Sequence, residues 1–468
     1  MKPIHGFAAC GMAVWLILFH PPILQAALPL KLGVGRIDVT PDNPVRLSGF
    51  GFRREESEGI TQRIWAKALA IDDPGNGPAV VITVDNLGIP ATMTQEVARR
   101  LQAATGLKLQ RLAITASHTH TAPMLTPVAP TLFGVPIPTG HQLRIDRYTR
   151  ELTDHLEQVA LAALEDLQPG RLEWTTGQVG FAKNRRTAEG PVDHDLPLMV
   201  VRGEDGAVRA LWFSYACHCV TLSNNRISGD WAGSAQLELE RRHPGVVTLA
   251  SVGCGADQNP DSGVTGNRVD VADSQGKQIA DEVDRLLGTQ LHQLTGPLAI
   301  RINGIPLAFD SPREHGEWEE RGKRDDAIGY HARVNLARLD RGETLPDHID
   351  YPIQTWLFGD SLAMVFLPGE VVVDYSLRLK QEFDPGRLWI NAYANAAPCY
   401  IPSERILREG GYEGGGAMIY YDKPTRFAPG LEQKIIDTIH EQIPKEFTAP
   451  PGTEDSEPPS LRKPRSNR

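Results

Sequence analysis

Cysteine is scarce in this chain, with five residues among 468, and one of them, Cys10, falls in an N-terminal apolar run. The other four, Cys217, Cys219, Cys254 and Cys399, are too few to staple a chain of this length, which excludes a small disulfide-held fold. Their state is open on sequence: one or two bridges, or buried free thiols packing as small apolar groups. Positive charge is also in deficit, with 48 Lys and Arg against 58 Asp and Glu and a net charge of −10. Nucleic-acid recognition demands a basic face, so that class of partner is excluded. No repeat period is visible. Beyond the N-terminus no apolar run is long enough to cross a bilayer, so no transmembrane span is expected in the mature chain.

The two ends read differently from the body. Lys2 and His5 precede an apolar run over residues 6–19, and small residues follow at Ala26 and Ala27. This pattern predicts a cleavable signal peptide over residues 1–26 and a secreted or periplasmic product, with an uncleaved N-terminal anchor as the alternative. Residues 448–468 are rich in Pro, Ser and charge, lack an apolar face and are expected to be a disordered tail. Nothing in residues 30–447 resembles a linker, so one domain is expected there.

Within that domain, β-rich segments alternate with segments of helical spacing. The former include residues 79–84, 111–115, 172–179, 208–215, 246–251 and 362–366. The latter include residues 92–104, 148–167, 233–242, 269–287, 327–340, 371–383 and 431–443. In residues 148–167, Leu152, Leu156, Val159, Ala160 and Ala163 fall on one face. This order predicts an α/β fold, a mixed β-sheet core with helices packed on its faces.

Four segments carry chemistry. In Ser117-His118-Thr119-His120, two histidines one residue apart can face the same way on extended backbone, as paired metal ligands do. Cys217-His218-Cys219 invites a Cys/His/Cys site, but alternation on a strand turns the two cysteines away from whatever His218 faces. Glu370, in Leu367-Pro368-Gly369-Glu370, sits where an apolar strand opens into a turn and helix. There it can act as a ligand, a general base or a helix N-terminal charge. The segment from Tyr393 to Pro402, with Gly411-Tyr412-Glu413-Gly414 downstream, reads on its own as loop with a packed aromatic.

Taken in order, these segments resemble the neutral/alkaline, non-lysosomal ceramidase family. The match opens at Gly33-Val34-Gly35-Arg36-Ile37-Asp38-Val39-Thr40-Pro41. It runs through Asp85-Asn86-Leu87-Gly88, the His-Thr-His segment, Asn184-Arg185-Arg186, His218, and Ile227-Ser228-Gly229-Asp230, to Glu370 and Tyr400. It covers nearly all of residues 30–447 and is a resemblance to the family's catalytic domain. The resemblance implies one zinc ion (Zn2+) per chain, held by His118, His218, Glu370 and Tyr400. It places His120 beside the metal, against substrate or activated water, and gives Arg185 a part in orienting the substrate. The implied activity is hydrolysis of an amide bond in a small-molecule or lipid-like, N-acylsphingosine-like substrate.

One position departs from the family. Aligning Asp257 and Pro260 in Asp257-Gln258-Asn259-Pro260 puts Asn259 where the family carries a nucleophilic serine. An amide cannot accept an acyl group as an activated hydroxyl does, but it can donate to a developing oxyanion. Two alternatives follow: a zinc hydrolase of another bond, ester or glycan-derived, and a binding protein that keeps the metal without turnover.

Overall fold

The computed structural model describes residues 30–449. The segment read as a signal peptide therefore lies outside the described residues, as does the tail apart from Thr448 and Ala449.

The same order of elements occurs three times. First, β1 (Lys31–Asp38), β2 (Trp65–Asp73) and β3 (Gly77–Val84) form an antiparallel meander; helix α1 (Ala91–Thr105) then crosses over to β4 (Leu112–Ala116), which lies parallel to β3. Second, β5 (Gln168–Gln178), β7 (Asp195–Gly203) and β8 (Val208–Tyr215) form a meander, and α3 (Asp230–Arg242) leads to β9 (Val247–Val252), parallel to β8. Third, β12 (Leu298–Ala308), β13 (His348–Phe358) and β14 (Leu362–Phe366) are followed by α7 (Val373–Glu382) and then β16 (Leu388–Asn391), parallel to β14. No sequence period marks these units, because the loops between their strands differ widely in length. The repeat lives in topology alone.

Edge pairing of β1 with β5 fuses the first two units into one sheet, ordered β4-β3-β2-β1-β5-β7-β8-β9. With β11 (His292–Gln293) on β5 it has nine strands, while the third unit keeps its own four-stranded sheet. The parallel strands are buried on both faces, so they read as unbroken apolar runs rather than alternating ones: every residue of β4 and β14 is buried. An aromatic core joins the units, with the rings of Trp212 and Trp389 4.7 Å apart and those of Trp356 and Phe366 5.5 Å apart. The sheets and helices bear out the expected α/β class.

The longest helix, α2 (Thr139–Glu165), lies on β1 and β2. The close approach depends on Gly33, where an added Cβ would come 2.0 Å from the Ala163 carbonyl oxygen. The helix begins at Thr139, before the expected residue 148, because its first turns hold no buried residue until Ile145 and so leave no apolar stripe in the sequence. The remaining helices are α4 (Val269–Leu287), α5 (His315–Gly322), α6 (Ala327–Asp340), α8 (Glu404–Glu409) and α9 (Leu431–Gln442). Two short pairs complete the framework: β6 (Ala182–Asn184) with β10 (Gln258–Pro260), and β15 (Glu370–Val371) with β17 (Tyr400–Ile401). No described helix is long and apolar enough to cross a membrane.

Candidate metal and catalytic site

Apart from Arg185, which follows β6, the candidate residues come from segments that leave the C-terminal ends of the parallel strands. His118 and His120 follow β4, His218 follows β8, Asn259 follows β9, Glu370 follows β14, and Tyr393 and Tyr400 follow β16. The C-terminal ends of parallel strands are a favoured place for binding groups in α/β folds.

His118 and His120 are not held together by strand alternation. His118 has left-handed backbone, with φ of 56°, and this kink brings its Nε2 to 3.2 Å from Nε2 of His120. The segment is clamped from the side: the hydroxyls of Thr119 and Thr121 each donate to the Ser228 carbonyl at 2.9 Å. That contact gives the Ser228-Gly229-Asp230 motif its structural meaning. Arg53 donates to the carbonyls of His120 and Ser48, and burial lowers its pKa to about 9.

Backbone carbonyls fix which imidazole nitrogen is bare. His118 Nδ1 lies 2.7 Å from the Leu87 carbonyl, which can only accept, so Nδ1 carries a proton and Nε2 is the nitrogen turned to the cluster. Nε2 of His218 lies 2.9 Å from the Ala256 carbonyl, leaving Nδ1 bare, buried and without a partner. The pKa of His218 is pushed well down by burial and by the charge of Arg185, and that of His120 by burial and by neighbouring His118. Both rings are therefore neutral near pH 7.

Glu370 completes the cluster. Parallel pairing of β15 with β17 sets it beside Tyr400. Its Oε1 accepts from the hydroxyl of Tyr421. Its Oε2 is buried without a hydrogen-bond partner, 3.2 Å from His118 Nε2 and 3.6 Å from His218 Nε2. Burial alone would raise the pKa of this carboxyl. Its neighbour His118 and the hydroxyls of Tyr400 and Tyr421 outweigh burial and hold it below the usual range. Burial and the Glu370 charge push the Tyr400 phenol well up.

One nitrogen from each of His118, His120 and His218 lies within 4.8 Å of the others. Leaving a buried polar atom unsatisfied costs about 1–3 kcal/mol, and here His218 Nδ1, His120 Nδ1 and Glu370 Oε2 are all in that condition. Neutral imidazoles and one carboxylate converging on a shared point are a donor set that suits a borderline divalent cation such as zinc. The carbonyls of Leu87 and Ala256 and the hydroxyl of Tyr421 then serve as the outer groups that aim such ligands. The residues present fit a metal.

Above this cluster opens a cavity of 580 Å³, lined among others by Phe50, His120, Arg185, Asn259, Tyr400 and Tyr412. Arg185 is held at three corners. It donates to Glu413 Oε1 at 2.8 Å, to the Tyr400 hydroxyl at 3.1 Å and to Asn259 Oδ1 at 3.4 Å. Burial opposes its charge, but Tyr400 and Glu413 more than compensate and raise its pKa. With Oδ1 of Asn259 turned to Arg185, its Nδ2 is left to donate into the cavity. Residues 117–123, 216–220, 253–260 and 392–401 thus meet around one space.

With this arrangement in view, residues 30–255 match the family described as neutral/alkaline non-lysosomal ceramidase, N-terminal. The chain is similar to that family over this span. A neutral ceramidase of Pseudomonas aeruginosa is 23% identical over 95% of this chain and 77% of its own length. One from Oryza sativa subsp. japonica is 26% identical over 50% of this chain, which spans only 32% of that relative; for the Drosophila pseudoobscura relative the share is 39%. The crystal structure of the Pseudomonas aeruginosa neutral ceramidase superposes with a TM-score of 0.69 at 19% identity, covering 90% of this chain and 76% of the other. A structure of a ceramidase complexed with C2 gives the same score at 18% identity, covering 90% of this chain and 77% of the other.

Several groups around this site are given no part in it by the sequence alone. Tyr421 belongs to no motif yet holds Glu370, and Tyr393 stacks on His118. Glu413 pairs with both Arg185 and Arg186 while almost wholly buried. Asn395 could have been found, since an asparagine in a turn tolerates left-handed backbone. Its φ is 62°, and its Oδ1 accepts from Ile114 N at 2.9 Å, locking the Tyr393 segment to β4. The four cysteines are free and buried. Cys217 and Cys219 pack in an apolar cluster with Phe213 and Trp231, and burial pushes the Cys254 thiol up, away from nucleophilic character.

Proposed function

We propose that this chain is an exported zinc-dependent hydrolase that cleaves an amide bond of an N-acylsphingosine-like substrate. The observation that carries the reading is the meeting of His118, His218, Glu370 and Tyr400 below a cavity walled by His120, Arg185 and Asn259. His118, His218, Glu370 and Tyr400 would hold the ion. Zinc in such a site supplies Lewis acidity and lowers the pKa of water toward about 7.

The chain's own residues supply the rest. His120 is neutral and has a bare nitrogen, so it can take a proton and pass it to the departing amine. Arg185 is fixed in direction by Glu413 and Tyr400, which suits it to hold a polar group of the substrate. Asn259 Nδ2 is placed to donate to oxygen as charge develops on it. Phe50 and Tyr412 give the cavity apolar walls for a lipid-like body.

A second reading keeps the same chemistry but directs it at another bond, ester or glycan-derived. It is favoured by Asn259 standing where the family carries serine. The deciding experiment is elemental analysis of the purified protein with a screen of N-acyl amides, esters and glycosides. One zinc per chain and chelator-sensitive release of fatty acid from the amide are expected. Ester or glycoside turnover without amide turnover would select the second reading, and zinc without any turnover would point to a binding protein.

A further inference from the structure

Away from this site, a second cavity of 230 Å³ lies between α6 and the glycine-rich segment 415–419. Its lining includes Arg313, Arg321, His331, Lys423 and Arg426. His331 is 1% exposed, and neither ring nitrogen has a hydrogen-bond partner. Nε of Arg313 and Nε of Arg321 are likewise buried and unpartnered.

The neighbouring acids do not answer these cations. Asp310 is engaged by Arg426 at 3.0 Å, Asp422 by Arg338, and Asp326 by Arg324 and the Gly329 amide. Glu317 caps its own helix by accepting from the Glu314 amide. Asp422 Oδ1 comes no closer to His331 than 3.7 Å. Among the described residues, Arg313, Arg321 and Lys423 have no ion pair at all. Partly buried guanidinium groups without a counter-ion are costly, and their planar donor forks match tetrahedral oxyanions in geometry as well as charge. A chain with net charge −10 that gathers unpaired cations in one recess has placed them against its overall trend.

We propose that this recess binds one phosphate-class oxyanion, held by Arg313, Arg321 and Lys423 with His331 at its floor. The cavity is too small for a lipid body, and four cationic side chains, Arg313, Arg321, Lys423 and Arg426, share its lining with Ile328 and Met418. One wall, residues 415–419, lies between Glu413, which holds Arg185, and Tyr421, which holds Glu370. A bound anion would therefore brace the segment that carries both.

The test is calorimetric titration of the purified full chain with inorganic phosphate, in chloride buffer at constant ionic strength. Saturable one-site binding is expected, weakened about tenfold or more in Arg313→Gln/Arg321→Gln and in Lys423→Gln, the single variant serving if the double does not fold. Arg185→Gln should bind phosphate as well as the parent. Absence of saturable binding to the parent chain, or weakening by Arg185→Gln instead, overturns the proposal. A parallel titration with glycerol 3-phosphate separates the sources: comparable affinity assigns the recess to a phosphate monoester, and binding of phosphate alone assigns it to the free ion.

Discussion

The ring of Tyr393 stacks on that of His118 at a centroid distance of 4.2 Å and an interplanar angle of 29°. Both residues stand two positions beyond the end of the last strand of their units, and both have left-handed backbone, with φ of 53° and 56°. Strained non-glycine conformations cost about 1–3 kcal/mol each and persist where the surroundings enforce them. Here the enforced kinks aim an imidazole and the ring that braces it.

His118→Ala and His218→Ala should each remove a ligand that no neighbour can replace. Elemental analysis of the folded variants is expected to show zinc lost in both, and full occupancy in both would remove them from the ligand set. Tyr393→Ala should keep the ligands but free the His118 ring, lowering zinc affinity by about 10–100-fold. A chelator competition titration reads this.

Cys219 is fully buried on the side away from the cluster. Cys219→Ser should retain zinc while losing about 1–3 kcal/mol of stability, the cost of burying a hydroxyl in an apolar cluster. Chemical denaturation and metal analysis on one sample check both halves. Loss of zinc from a folded variant would return the cysteines to the metal site.

Glu413 is 3% exposed and pairs with Arg185 and Arg186 at 2.8 and 2.6 Å. Glu413→Gln should raise KM more than it lowers kcat, because Arg185 loses its anchor. Stability should fall by about 3 kcal/mol, since Arg185 loses its carboxylate partner and Arg186 keeps only Glu409. A drop in kcat alone would argue that Arg185 acts on the reacting atoms and not on the ground state.

Lys380 holds Asp193 through both carboxylate oxygens, at 2.8 and 2.7 Å, and Asp195 at 2.6 Å. Burial opposes ionisation of Asp193, but Lys380 outweighs it and depresses the pKa. Its contribution is thus present above the unfolded value of about 3.9 and lost as pH falls through the folded one. In Lys380→Met the carboxyl is buried without its cation and its folded pKa rises, so ionisation now penalises the fold. The deficit against the parent should reach about 3–5 kcal/mol at pH 7 and shrink toward pH 4. Urea denaturation at the two pH values measures it, and a deficit independent of pH would contradict the assignment.

Asn259→Ala should lower turnover by about two to three orders of magnitude with zinc retained, the usual loss on removing an oxyanion donor. Asn259→Ser tests whether the family's serine confers ceramide cleavage on this scaffold. Steady-state kinetics on the true substrate decides. Near-parental turnover by the alanine variant would reduce Asn259 to a residue that shapes the turn before Pro260.

Apart from the early start of α2, the strands and helices with strong periodicity were legible to within a few residues, and β8, α4 and α6 coincide with the expected bounds. Helix α5 left no trace because Trp318 is its sole buried residue among charged ones. The juxtaposition of His118 and His120 was expected, but from strand alternation, whereas a left-handed kink produces it. Glu370 was marked by its place after an apolar strand, whereas Tyr400 was identifiable only through motif order, since β15 and β17 are too short to show a pattern. Tyr421 itself, and the part played by Glu413, escaped for a deeper reason. They act on residues far away in sequence, and a single chain carries no record of which distant side chain a hydroxyl or carboxylate will meet.

The threefold topology has a consequence for quality control. His118 comes from the first unit, His218 from the second, and Glu370 and Tyr400 from the third. No single unit holds enough donors to make a working centre, and none borders the cavity alone. On the proposed function, a newly made chain with one unit undocked is therefore inert rather than half-active, and hydrolytic power arrives only with the last docking step.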